Sequence, residues 1–330
     1  MQRKTLYTTA AKLIGAALGV GLVMACSLAS AQTWPTKPIR VIVAFPPGGA
    51  ADQIIRALQP GLQTALGQPV VIETRAGANG MIAGEAVAKA PPDGYTLLMT
   101  SGGMVSVNPH LYAKLPIDPA KDLIPVAAAA RIAVFLTTNP KVPAANIGEF
   151  IRYLKANPGK LSYGSPGTGS SPHLAAEMFK AQTGTFALHV PYRGAAPALQ
   201  DLLAGQLDFH FDPGIGLPQV KAGKLNLLAV ASPKRSALFP DVPTLDEAGL
   251  KGFDADSIFG LYAPTGTPAD VVARVNREVN ALLSNTAVRE RIVALGGDPL
   301  PLTPAQFGAR AADDSKRFGE IIRARKIAAE

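Results

Sequence analysis

One unit recurs in this chain: a short β-branched run, an abrupt Gly-, Pro- or Ser-rich loop, and then a helix. Ile39, Val41, Ile42 and Val43 lie in a run with almost no polar alternation, the pattern of a strand buried on both faces. Phe45-Pro46-Pro47-Gly48-Gly49 ends it, and Ile54, Ile55, Leu58, Leu62 and Leu66 then recur at helical spacing over 50–66. A second strand is predicted over 70–73. A turn follows at 77–80, then a helix over 81–90 broken by Pro91-Pro92-Asp93-Gly94, and a third strand over 95–100 closed by Ser101-Gly102-Gly103. The unit returns at 161–163, with a loop from Gly164 to Ser171 and a helix from about 172 to 182. Strands over 187–190 and 207–211 bracket a helix over 195–204. Strands alternating with helices predict an α/β fold with mostly parallel sheets flanked by helices.

The stretch 122–139 is apolar and poor in breakers, as expected of a segment leaving one lobe and entering another. Further strands are predicted over 225–231 and 257–263, the latter as the return crossing. Amphipathic helices over 268–283 and 304–322, each with Pro at or near its start, are expected to close the first lobe. The expected architecture is a two-lobed periplasmic-binding-protein (Venus flytrap) fold with two crossover segments. One lobe takes 32–133 plus 256–330, the other 134–255.

The N-terminus reads as an address. Arg3, Lys4 and Lys12 precede an uncharged run over 13–25, and Ala29-Ser30-Ala31 follows, the order of a secretory signal peptide. Cleavage is expected after Ala31, giving a periplasmic protein. Val23-Met24-Ala25-Cys26 resembles a lipobox, so a lipid anchor at Cys26 is the second outcome. The formal net charge of +8 invites a nucleic-acid reading, but three of the positive charges leave with the signal and no basic cluster remains. The single cysteine excludes a disulfide framework, and the four histidines lack the short paired spacing of a helical zinc motif. No metal, cofactor or nucleic-acid partner is expected, and the protein is expected to be a monomer.

Ligands in open α/β sheets bind beyond the carboxyl ends of strands. Those ends carry Pro47, Gly48 and Gly49 in one half, with Ser101 nearby, and Ser165, Gly167, Thr168, Gly169 and Ser170 in the other. Glycine lets the backbone approach a ligand, and the helix N-terminus that follows suits an anion. Neither loop carries a dinucleotide fingerprint, and no P-loop or G-x-S-x-G elbow occurs. Ser170, His173 and Asp212 keep an exported serine hydrolase as an alternative. Asp208, His210 and Asp212 share one face of a strand, with Asp212 at its carboxyl end, where it can receive a ligand hydroxyl or amine or order a water. His210 reads as a satisfied packing histidine, and Asp52 as a cap or dipole partner of the first helix.

Trp34-Pro35-Thr36-Lys37-Pro38-Ile39, Pro46-Pro47-Gly48-Gly49-Ala50-Ala51-Asp52, Arg75-Ala76-Gly77-Ala78-Asn79-Gly80 and Ala90-Pro91-Pro92-Asp93-Gly94-Tyr95 appear in that order. His189-Val190-Pro191-Tyr192-Arg193-Gly194, Pro240-Asp241-Val242-Pro243-Thr244 and Gly260-Leu261-Tyr262-Ala263-Pro264 follow. In this order they resemble the Bug-type solute-binding proteins of tripartite tricarboxylate transporters. The resemblance implies a receptor that holds a small organic carboxylate with backbone amides and bridging waters and delivers it to an inner-membrane permease. A ligand-sensing accessory to a sensor kinase would share every residue. By position it implies Pro47, Gly48, Gly49, Ala50 and Ala51 in one lobe, and Ser165, Gly167, Thr168, Gly169, Ser170 and His173 in the other. Asp212 would lie near the ligand's variable end. The chain departs from the family at His210, where Leu or Met is usual, and at Pro213, where Asn is common.

Overall fold

The computed structural model describes residues 34–328. The signal segment, the cut after Ala31 and the anchor at Cys26 lie outside the described residues. A compact unit begins at Lys37 and carries both sheets.

Strand β1 (Ile39–Val43) is flanked on one side by β2 (Val70–Thr74) and on the other by β3 (Thr96–Ser101), both parallel to it. Helix α1 (Ala50–Leu66) connects β1 to β2 and buries Ile54, Ile55, Leu58 and Leu62. It ends at Gly67, which takes the left-handed conformation at φ +67 and returns its N–H to the Gln63 carbonyl. Helix α2 (Met81–Ala88) leads to β3, and a π-helical turn (Gly103–Val107) runs into α3 (Asn108–Leu111). After α4 (Pro119–Asp122), β4 (Leu123–Ile132) crosses the first sheet, and two residues later β5 (Phe135–Thr138) enters the second.

The second sheet continues with α5 (Ile147–Ala156), β6 (Ser162–Ser165), α6 (Ser171–Thr183), β7 (Leu188–Pro191) and α7 (Ala195–Leu203). It closes with β8 (Phe209–Asp212), α8 (Leu217–Lys221) and β9 (Asn226–Val230). The chain then returns through β10 (Ser257–Pro264). It ends with α9 (Ala269–Leu282), α10 (Thr286–Ala294), β11 (Gly297–Pro299) and α11 (Pro304–Arg325).

The six-stranded sheet has the order β11-β4-β10-β3-β1-β2 and the five-stranded sheet β7-β6-β8-β5-β9. Both are mixed rather than mostly parallel. Only the strands joined through helices run parallel: β1 with β2 and β3, and β6 with β7 and β8. The crossing strands enter in the opposite sense, so β10 is antiparallel to β3 and β4, and β5 to β8 and β9.

The two crossings lie side by side, with Ser257 paired to Ile132 and the Ala231 N–H bonded to the Val134 carbonyl at 2.7 Å. Each sheet has its own core. One gathers Phe150, Tyr163, Phe179, Phe209 and Phe211, and the other Ile42, Leu98, Met104, Tyr262 and Phe307. Helices α9 and α10 pack on the first sheet's elements. Helix α11 does more: Phe318 and Ile322, one turn apart, pack with Val107, Leu111 and Leu174, so it also braces α6. Behind the crossings, Gly214 at φ +96 lies so close to the Leu295 carbonyl that no larger residue fits there without displacing backbone.

Candidate ligand cleft

Three helix N-termini open onto one space. In the first lobe, α1 starts at Gly49, which has no side chain to cap it. The first helical bond runs from the Gln53 N–H to the Gly49 carbonyl at 3.0 Å, so the N–H groups of Ala50, Ala51 and Asp52 precede the ladder and lack intrahelical acceptors. Asp52 braces the loop from behind. Its carboxylate accepts the Gly48 N–H at 3.0 Å and the Arg56 Nε–H at 2.9 Å. Gln53 Nε2 also donates to the Gly48 carbonyl at 2.8 Å. The carboxylate is thereby neutralised by Arg56 instead of repelling an anion in front of the helix.

In the second lobe, α6 is capped by Ser170. Its Oγ accepts the His173 N–H at 3.4 Å and donates to the Gly167 carbonyl at 2.7 Å. Helix α7 starts at Gly194 with no side-chain cap. Its Ala195 and Ala196 N–H groups are left over, and the next residue, Pro197, has no N–H to satisfy.

These termini line a cleft of about 670 Å³. The first lobe contributes Phe45, Pro47, Ala50, Ala51, Asn79 and Ser101, and the second Pro166, Ser170, Ser171, Ala195 and Ala196. Ile132, Val134, Ser257 and Phe259 of the crossing strands form the floor. No lining residue carries an ionisable side chain. Ser257 Oγ is buried without a hydrogen-bond partner, as a hydroxyl meant for a ligand or a bound water would be. The field in the cleft therefore comes from backbone dipoles, which favour negative charge.

Of the residues singled out in the sequence, Pro47, Gly49, Ala50, Ala51, Ser101 and Ser170 line this cleft. Gly167 and Thr168 line its outer part, an open vestibule of about 1230 Å³. Gly48, Ser165, Gly169, His173 and Asp212 are outside both linings. Ser165 Oγ donates to the Gly167 carbonyl at 3.1 Å and lies 2.7 Å from His189 Nε2. The Gly169 N–H donates to His173 Nδ1 at 3.0 Å. The His173 and His189 rings stack at 3.9 Å, nearly parallel.

Burial pushes both imidazoles down, His173 to about 4 and His189 to about 3, so they are neutral at pH 7. A neutral Nδ1 is what the Gly169 N–H requires as acceptor. This pair is a support beneath the loop. In this arrangement the Ser170 Oγ donates to the Gly167 carbonyl, and His173 Nδ1 is taken by the Gly169 N–H.

Asp212 is fully buried. Its Oδ2 accepts the Gly216 N–H at 2.7 Å and its Oδ1 has no partner. It turns back on the 214–216 loop, while its neighbour Pro213 reaches the cleft. His210 is also fully buried, but neither ring nitrogen is hydrogen-bonded, so it is not the satisfied packing histidine expected. Sequence reasoning missed Asn79, Ala195, Ala196, Ser257 and Phe259. For Ala195 and Ala196 a signal existed: a helix start directly after Arg193-Gly194. For Ser257 it was the first position of the return strand.

Two α/β lobes joined by paired crossing strands, with a cleft of helix N-termini between them, define the periplasmic-binding-protein class. Residues 54–327 match the family described as "Tripartite tricarboxylate transporter family receptor". The chain is 39% identical over 297 residues to Protein BugT of Bordetella pertussis, covering 89% of this chain and 91% of that protein. Among solved structures it is similar to R. palustris Rpa4515 with adipate, at 33% identity and a TM-score of 0.86, covering 89% of this chain and 99% of that one. It is also similar to MatC (Rpa3494) from Rhodopseudomonas palustris with bound malate, at 32% identity and a TM-score of 0.82, covering 88% and 100%. The chain belongs to the tripartite tricarboxylate transporter receptor family.

Proposed function

We propose that this chain is a periplasmic solute-binding receptor that closes on a small organic carboxylate and delivers it to a tripartite tricarboxylate-type permease. The observation that carries the reading is the convergence of three helix N-termini on a cleft with no charged side chain in its lining. Such a site gives up no fixed cation, so an anion enters without breaking an existing ion pair and leaves once the lobes part. The ligand-bound relatives Rpa4515, with adipate, and MatC, with malate, support a carboxylate as the class.

In this reading the lobes are residues 32–133 with 256–330, and 134–255. The paired crossings at Ile132 and Ser257 act as the hinge. Pro47, Gly49, Ala50, Ala51, Ser101 and Ser170 meet the ligand directly, and Gly167 and Thr168 close over it. Gly48, Ser165, Gly169, His173 and Asp212 hold the contacting loops in place. The receptor acts as a monomer, without cofactor or covalent step, after export directed by 1–31.

A thermal-shift panel tests the reading. Small mono- and dicarboxylates at about a hundredfold excess over Kd are expected to raise the unfolding midpoint by roughly 5 °C or more, and the matching amides to leave it unchanged. Stabilisation by no acid, or equally by acids and amides, would overturn it.

A further inference from the structure

The inner cleft opens outward into the vestibule, and the two share Phe45, Pro46, Asn79, Pro166 and Gly194 as walls. One charged side chain lines the vestibule, that of Arg193. Arg193 is exposed and has no ion pair or hydrogen bond with any described residue, and no acid lines the vestibule to compete for it. Where an arginine of this chain lies beside an acid it engages it, as Arg56 does Asp52 at 2.9 Å and Arg317 does Asp254 at 2.6 Å. Arg193 directly precedes Gly194, the N-cap of α7. Two residues span at most about 7 Å. A carboxylate seated on the Ala195 and Ala196 N–H groups therefore leaves the guanidinium within reach of a second carboxylate a few bonds away.

We propose that Arg193 is a second anion-binding point, at the mouth of the cleft, and that it selects dicarboxylates over monocarboxylates. The inference rests on the carboxylate-receptor function proposed for the cleft. A monoacid is already satisfied by the helix termini and leaves Arg193 in water. A diacid places its far carboxylate where the planar fork of the guanidinium accepts both oxygens. The same charge draws anions toward the cleft before they bind.

Calorimetric titration of the intact exported chain with the straight-chain diacids from succinate to suberate, and with their monomethyl esters, tests this. The expected result is a preference of about tenfold or more for at least one diacid over its ester. Arg193→Gln is expected to remove that preference by weakening the diacid alone, and Arg193→Lys to keep part of it, because an ammonium keeps the charge without the fork. The ligand-free unfolding midpoint of Arg193→Gln should match the wild type, since the side chain has no partner to lose. An equal loss for diacid and ester in Arg193→Gln, or an unchanged diacid affinity, overturns the inference and leaves the carboxylate reading standing. A wild type that binds esters as tightly as diacids does the same. A wild type that binds neither removes both.

Discussion

Ala196→Glu is expected to abolish carboxylate binding while leaving the protein folded. Ala196 is exposed, sits in the first turn of α7 and lines the cleft. A glutamate there favours the helix by about 0.3–1 kcal/mol through the dipole, so stability should hold or rise slightly. Its carboxylate would occupy the same field that the ligand uses. Two like charges about 4 Å apart at an effective dielectric near 20 repel by about 4 kcal/mol, enough to weaken binding by at least about a hundredfold. Ala196→Gln brings nearly the same volume without the charge, and its loss should be much smaller. Affinities of both variants for the tightest acid of the panel are the measurement. Equal losses would mean that bulk, not charge, fills the cleft.

Asp212→Asn is expected to stabilise the protein at pH 8 and to leave it nearly unchanged near pH 4. Burial of Asp212 pushes its carboxyl from the ordinary 3.8 up to about 7, against the pull of the 214–216 backbone amides. His210, two residues along the same face, offers no countercharge, because burial pushes it down to about 4 and it is neutral at pH 7. Between pH 4 and 7 the folded chain holds a proton that the unfolded chain has released. Stability from this group is therefore full below about pH 4, falls as pH rises through 7, and stays low above it. The difference is on the order of 4 kcal/mol at pH 8. Asparagine keeps an oxygen for the Gly216 N–H and has no charge to bury. Asp256 is also raised to about 7 by burial, so the wild-type profile alone reports both groups and the comparison with the variant isolates Asp212. Unfolding midpoints from pH 4 to 8 supply the test. A variant less stable at pH 8 would show that the native state uses the ionised form.

Much of the scaffold is legible in the sequence because its signals are local. The helix over 50–66 has an apolar stripe and a glycine at each end, and α1 has those bounds. Helix α5, absent from the elements expected above, carries equally local signals: Asn146 caps it and Glu149 follows three residues on, with Phe150 and Leu154 buried on one side. The antiparallel sense of the crossings is not local, because it depends on which sheet each strand joins. The site divides in the same way. Gly49 and Ser170 can be found from strand–loop–helix grammar. The third terminus, at Ala195 and Ala196, enters the cleft only once α7 has packed on β6 and β8 of the second sheet. Period two assigns Asp212 to a face, but it does not say that the carboxylate folds back onto its own loop. Nor does the spacing of Ser170 and His173 say that the imidazole serves Gly169.

That backbone amides of three helix N-termini hold the ligand is the claim most directly open to measurement. Amide resonances of the deuterated, 15N-labelled protein can be followed as the tightest-binding acid is added. Saturable downfield movement of the Ala50, Ala51, Ser171, Ala195 and Ala196 amides together, with none on adding the matching amide, is the expected result. Binding that leaves those five resonances in place and moves others instead would contradict it.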